Sequence, residues 1–412
     1  MLDLYFKYPG VLKRLRNGAL GNEMDRIAAH FFEIGYKHDS AKRYISNLGR
    51  FSEFAFRNVG TATIGQEVID RYILSLPAAS PRITIRTVVK HARRVTPERF
   101  STPCRHTAPD PDEPLLAAYL EHLRHVRGLE PKTCEGLLTG ARRILIWLRD
   151  HLPDQTLSAM TGEHVLSLMQ HLLSLSANDG TRSSITSYVR RFLRFLQWSE
   201  LINQDLARFV PRTPCRRLAH LPPRLAWEDI RRAIDAIDVT TQSGRRDRAI
   251  LLVLATAGLR NKELRLLELQ DIHWRTAELL VRRTKGGRDR VVPLLDEAGA
   301  ALADYVLHAR PKIASPRVFL TYAPPARPFK HAVSISTIVR SRLEQSGVEI
   351  SGAAGAHLLR HGLATQLVRQ QRPINEVADL LGHRSIDTTA IYVKVALPQL
   401  TGVALPFPGD VQ

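Results

Sequence analysis

Hydrophobic positions recur at three- and four-residue intervals through the first half of the chain. In TRSSITSYVRRFLRFLQW (181–198), Ile185, Val189, Phe192, Leu193 and Leu196 fall on one helical face. Arg182, Arg190, Arg191 and Arg194 fall mostly elsewhere on that helix, either as a solvated face or as one that meets DNA. PKTCEGLLTGARRILIWLRD (131–150) predicts a second amphipathic helix with the same basic flavour. GYKHDSAKRYISNLGRFSEFAF (35–56) aligns without gaps to GLEPKTCEGLLTGARRILIWL (128–148), with Phe54 opposite Trp147. Downstream, IGQEVIDRYI is echoed by MTGEHVLSLM, which predicts two helical segments of related design.

The pattern is mixed beyond 222. RDRAILLVLATAGL (246–259) reads as a buried core helix. AELLVRRTKGGRDRVVPL (277–294) reads as a β-hairpin, because Gly286-Gly287 supplies the positive φ that tight turns require. Helices resume at DEAGAALADYVLHA and continue to the end, broken by proline-rich loops near 311–328. TPCRHTAPDPDEP (102–114) and FVPRTPCRRLAHLPPR (209–224) are polar, proline-rich and poorly periodic, so both read as linkers. The expected organisation is a helical accessory domain at 1–105, a helical domain at 110–210, a basic linker at 211–224 and an α+β domain at 225–412. The fold class is mainly α with a small β-sheet or hairpin.

A formal net charge of +19 over 412 residues changes that picture, since it points to a polyanionic partner. A basic enzyme without such a partner is the plainer alternative. A membrane is disfavoured, because no stretch approaches the roughly 18 apolar residues of a spanning helix. The first residues lack the apolar stretch and cleavage site of a signal peptide. Cys104, Cys134 and Cys215 are odd in number, far apart and without CxxC spacing, which predicts reduced thiols in a cytoplasmic protein.

The candidate chemistry is concentrated in GAHLLRHGLATQLV (355–368), where His357, Arg360 and His361 share a helical face. HxxxH on a helix can hold zinc, but the glutamate position of HExxH is Leu358, and Arg360 would set a cation against the metal. An anion site suits the residues better. Arg360 and His357 can grip phosphate oxygens, and Tyr392 is a candidate nucleophile once cationic neighbours such as His383 stabilise its phenolate.

Four stretches then extend the pattern: AGLRNKELRLLELQDIHW (257–274), TKGGRDRVVPL (284–294), HLLRHGLATQLV (357–368) and LLGHRSIDTTAIYVK (380–394). In order and spacing they resemble the catalytic boxes of the tyrosine recombinase (phage integrase) family over about 222–395. The resemblance implies a catalytic set of Arg260, Lys285, His357, Arg360, His383 and the nucleophile Tyr392, with Glu263 in a supporting role. Asn261-Lys262 departs from the apolar residue and serine common in relatives.

It further implies a helical core-binding domain at 110–210 which, with 222–412, forms a C-shaped clamp on double-stranded DNA. A homo-tetramer on two DNA sites, alone or with other recombinases or accessory proteins, is implied as well. Arg212, Arg216 and Arg217 in the linker, and Arg282 and Arg288 in the hairpin, are candidate DNA contacts beside the four arginines of 181–198. No metal, ATP or other cofactor is expected, since a phosphotyrosine ester replaces a phosphodiester of similar energy. The expected function is site-specific strand exchange for a mobile element, through a 3′-phosphotyrosine intermediate, at the nucleoid. A type IB topoisomerase and a non-catalytic DNA-binding relative are the competing readings.

Overall fold

The computed structural model describes residues 1–60, 62–77, 79–101, 110–152, 156–176, 179–212, 225–282, 289–350, 355–382 and 389. It is predominantly helical with one three-stranded antiparallel sheet. Two compact units account for it: Arg105–His220, and Met1–Cys104 together with Leu221–Gln412. The second unit holds two separate large cores, one within the first hundred residues and one beyond 225. Among the described residues no helix is long and apolar enough to cross a membrane.

The Arg105–His220 unit is built from helices Glu113–Glu121, Pro131–His151, Gly162–Ser174 and Asp179–Trp198. All five apolar residues predicted on the face of the last helix are buried. They pack with Ile144, Leu148, Val165 and Leu168 from the preceding helices. Pro131 opens its helix, where the N–H that proline lacks would have no intrahelical partner.

In the other unit, residues 1–101 form helices Pro9–Arg16, Met24–Glu33, His38–Val59, Gln66–Ser75 and Ala79–Val95 around a core of their own. From 225 onward the central element is the Gln242–Ala257 helix, whose apolar run is the expected core helix. Its N-terminus is capped by Thr241, whose Oγ1 accepts from the Gly244 N–H at 3.0 Å. Helices Trp227–Asp235, Asp296–Asp304 and Ala356–Arg369 surround it, so residues 249–255 are buried on every side.

The predicted hairpin is present as strands Glu278–Val281 and Arg290–Pro293, with Leu279 opposite Val292 and Val281 opposite Arg290. A short strand, Ile272–His273, adds an edge that the sequence pattern does not predict. The turn between the hairpin strands lies outside the described residues.

One buried charge cluster ties this core together. Asp247 Oδ1 accepts from Arg246 Nε and Nη2 at 2.9 and 2.7 Å, and its Oδ2 accepts from Arg342 Nε and Nη2 at 3.0 and 2.6 Å. The Arg246 guanidinium lies 4.9 Å from the Tyr322 ring centroid and 5.4 Å from that of Phe329. Both Arg246 and Asp247 are more than nine-tenths buried. Asp247→Ala leaves Arg246 buried without its counter-ion, and the expected loss is about 3–5 kcal/mol in urea unfolding. A loss below about 1 kcal/mol would show that solvent reaches the pair.

Candidate active site

The Gln242–Ala257 helix ends at Gly258, whose φ of +60° and ψ of +29° place it in the left-handed conformation. A Cβ there would lie 2.8 Å from Leu381 Cδ2, so close approach as well as conformation requires glycine. The chain then turns into the short Asn261–Leu266 helix, with Arg260 at its N-cap position. The Arg260 N–H donates to Glu263 Oε2 at 2.8 Å, and its Nη1 donates to Glu263 Oε1 at 2.8 Å. Its Nη2 donates to the Gly382 carbonyl at 2.9 Å.

Glu263 is 5% exposed and receives a second arginine. Arg290, the first residue of its strand, donates from Nη1 to Oε1 at 3.0 Å and from Nη2 to Oε2 at 2.9 Å. Arg290 Nε also donates to the Leu380 carbonyl at 3.2 Å. Burial opposes ionisation of Glu263, yet the hydrogen bonds and charge of Arg290, with those of Arg260, outweigh it and bring the carboxyl to about 2.

Arg360 comes from the Ala356–Arg369 helix and is 3% exposed. Its Nη1 donates to the Gly258 carbonyl and its Nη2 to the Leu381 carbonyl, each at 2.5 Å. Gly258 and Gly382 each follow the last residue of a helix and share the left-handed conformation. Carbonyls at helix C-termini lack intrahelical partners and carry the negative end of the macrodipole, so they suit guanidinium groups.

His357 stands one turn before Arg360, on the exposed side of the same helix. Surrounding protein atoms lower its proton affinity first, and Arg360 and Arg260 add to this, while Glu263 opposes it. The His361 ring lies 6.4 Å from that of His357. Burial, His357 and Arg360 push its pKa down to about 4. Both imidazoles are therefore neutral near pH 7.

The resulting cluster holds three arginines against one carboxylate, with neutral histidines beside them. Such a surplus of fixed donors suits an anion of the size of a phosphate. The Arg260 side chain is 37% exposed and open to a ligand, whereas Arg360 forms the buried floor.

Among the expected site residues, Arg260, Glu263, His357 and Arg360 come together; Lys285, His383 and Tyr392 lie outside the described residues, as do Arg216, Arg217 and Arg288. The candidate DNA contacts divide by what they touch. Arg182 Nε donates to the Ser176 carbonyl at 3.0 Å, and Arg190 Nη2 to the Val210 carbonyl at 3.0 Å. Arg282 Nε donates to the buried Asp271 Oδ1 at 2.7 Å, with its side chain half exposed. Arg191, Arg194 and Arg212 are exposed.

Sequence reasoning missed Arg290 as a site residue. Its only local signal is a charged residue on a strand facing Val281, which does not reveal a buried carboxylate 27 residues upstream. His361 was legible as a face-mate of His357, although its burial was not.

Residues 223–397 match the pattern of the Phage integrase family. A Sinorhizobium fredii protein named as an integrase/recombinase, y4rF, is 62% identical over 409 residues, 99% of this chain and 96% of that protein. Tyrosine recombinase XerD of Mycobacterium tuberculosis is 32% identical over 310 residues, 70% of this chain and 95% of that one. The crystal structure of XerH site-specific recombinase, bound to a palindromic difH substrate, shares the fold with a TM-score of 0.56. It is 14% identical and covers 81% of this chain and 92% of its own.

Glu263 has a folded pKa below its ordinary value, so its contribution is present above about pH 4.5 and is lost as pH falls toward 2. Replacing it with glutamine (Glu263→Gln) is expected to cost roughly 3 kcal/mol at neutral pH. The difference from wild type should shrink as acid is added. A denaturation series at pH 7, 4 and 3 in which the gap stays constant would contradict the assignment.

His361 gives a second pH signature. Between pH 6.5 and 4 the unfolded chain binds a proton here that the folded chain refuses, so wild type loses stability across that window. His361→Gln should flatten that part of the melting-temperature profile. An equally steep profile in the variant would rule out His361 as its source.

Proposed function

The chain belongs to the phage integrase family and is a site-specific recombinase that cleaves and rejoins DNA strands; on this premise we propose that Tyr392 takes over the scissile phosphate while Arg260, His357 and Arg360 hold it. What supports the reading is the cluster of Arg260, Glu263, Arg290, His357 and Arg360, drawn from three separate sequence segments around two helix C-termini. Arg260 and His357 face outward from it, where a phosphodiester can reach them.

In the first step the Tyr392 oxygen bonds to phosphorus and the bond from phosphorus to the 5′-oxygen breaks. The phenolic proton passes to neutral His357, and Lys285 protonates the departing 5′-oxygen. Negative charge gathering on the non-bridging oxygens is met by Arg260, with Arg360 beneath it and His383 beside the phenolate. One phosphodiester is exchanged for one phosphotyrosine ester, so no nucleotide is consumed. A 5′-hydroxyl from a second strand reverses the step and completes exchange.

Double-stranded DNA is the partner in this reading, and exchange between two sites calls for four copies of the chain. The helical module at 110–210 and the linker at 211–224 would meet the duplex through Arg191, Arg194, Arg212, Arg216 and Arg217. The place of action is the nucleoid.

The test uses nicked duplexes carrying candidate end sequences, from which the cleaved fragment diffuses away, run on denaturing gels with a chelator present. A protein–DNA band is expected for wild type, none for Tyr392→Phe, and a cleavage rate at least about 100-fold lower for Arg260→Ala. Cleavage that survives in Tyr392→Phe but stops with the chelator would overturn the tyrosine mechanism.

A further inference from the structure

The two helical segments that the sequence aligns weakly share the same succession of helices. Helices Met24–Glu33, His38–Val59, Gln66–Ser75 and Ala79–Val95 match Glu113–Glu121, Pro131–His151, Gly162–Ser174 and Asp179–Trp198 in order and approximate length. The joints match as well. Gly35 and Gly128 both have positive φ, and the N-cap residues Lys37 and Glu130 that follow have φ of −57° and −59° with the same ψ of 141°. Aligned there, Ala41, Leu48, Phe51 and Ala55 take the buried places of Cys134, Ala141, Ile144 and Leu148.

The last helix of each set is anchored by the same device. Arg82 Nε donates to the Leu76 carbonyl at 2.9 Å, and Arg182 Nε donates to the Ser176 carbonyl at 3.0 Å. Arg82 Nη2 reaches the Leu74 carbonyl at 3.5 Å, and Arg182 Nη2 reaches that of Leu173 at the same distance. With these two arginines superposed in register, Ile85, Val89 and Ala92 occupy the buried places of Ile185, Val189 and Phe192. Lys90 and Arg94 then fall on the places of Arg190 and Arg194.

Charge separates the copies. The Ala79–Val95 helix carries five lysines and arginines and no acidic residue. Arg86, Lys90 and Arg94 follow each other at four-residue steps, about 6 Å apart along one stripe of the helix. All three are exposed, and none makes an ion pair among the described residues. They line a cleft of about 570 Å³ between this helix and Gln66–Ser75, in which Asp70 is the one acidic lining residue. Arg93 is held in its wall by Gln66 Oε1 at 2.8 Å and lies over the Phe100 ring. Residues 1–101 as a whole carry 17 lysines and arginines against 9 acidic residues.

We propose that the helices spanning 24–95 are a second copy of those spanning 113–198, and that Arg86, Lys90 and Arg94 bind the phosphate backbone of duplex DNA. The choice of ligand rests on the recombinase reading above. The chemistry is that of a polyanion with regularly spaced charges, which a stripe of unpaired cations on a rigid helix follows without reading bases. On this proposal the chain meets DNA through two related modules.

The full chain would be titrated by fluorescence anisotropy with a random-sequence duplex of about 60 base pairs at several salt concentrations. Each phosphate contact contributes about 0.9 to the slope of log affinity against log salt. Arg86→Gln/Lys90→Gln/Arg94→Gln is expected to lower that slope by about 2 to 3, and Arg86→Lys/Arg94→Lys to leave it unchanged. An unaltered slope in the triple variant, or an equal fall in the lysine variant, would overturn the proposal. Tyr392→Phe should keep the full slope while losing the covalent band. A covalent band without the slope effect would therefore retain the mechanism and sink the second module; a slope effect without the band would do the reverse.

Discussion

One buried carboxylate holds the site together. Glu263 sits almost entirely out of water, where an unpaired charge costs several kcal/mol. It is tolerable because Arg290 grips it with both terminal nitrogens and Arg260 adds a side-chain and a main-chain donor. Those same arginines have further donors on the carbonyls of Leu380 and Gly382. A single charge thereby ties the hairpin, the start of the Asn261–Leu266 helix and the end of the Ile374–Leu381 helix into one body. The orientation of Arg260 follows from this, so the group proposed to grip phosphate is positioned by its partners before any ligand arrives.

The second recurring device is the helix C-terminus used as a socket. Gly258 and Gly382 end their helices in the left-handed conformation, and the carbonyls around them receive Arg360 and Arg260. Arg82 and Arg182 do the same for the helices that precede them. Orphaned carbonyls at a helix end need donors, and a chain this rich in arginine satisfies them with cations rather than water. That leaves fewer cations for DNA than the composition suggests, and it sorts them by position. Arg182, Arg190 and Arg282 serve the fold through main-chain carbonyls or a buried carboxylate, while Arg86, Lys90, Arg94, Arg191 and Arg194 stay at the surface.

The neutral state of His357 and His361 belongs to the same electrostatics. With Arg360 close by and protein atoms packed around both rings, protonation would add a cation where cations are already in excess. A neutral imidazole can both accept and donate a proton, which a phosphoryl transfer needs and an imidazolium cannot do.

Much of this was determined by the sequence alone. Periodicity placed the helices and their buried faces, the Gly-Gly pair marked the hairpin, and the spacing of His357 and Arg360 put both on one helix. Four boxes in order pointed to the recombinase family, and the faint echo between 35–56 and 128–148 pointed to the shared helix order on which the two-module proposal rests. Tertiary structure decided the rest: that Arg290 completes the site, that Arg360 is its floor and not its rim, and which arginines are left for DNA. The reason is physical. A guanidinium's role depends on whether a carbonyl or carboxylate lies about 3 Å away, and those partners come from chain segments as much as 122 residues distant, to which no local pattern is sensitive.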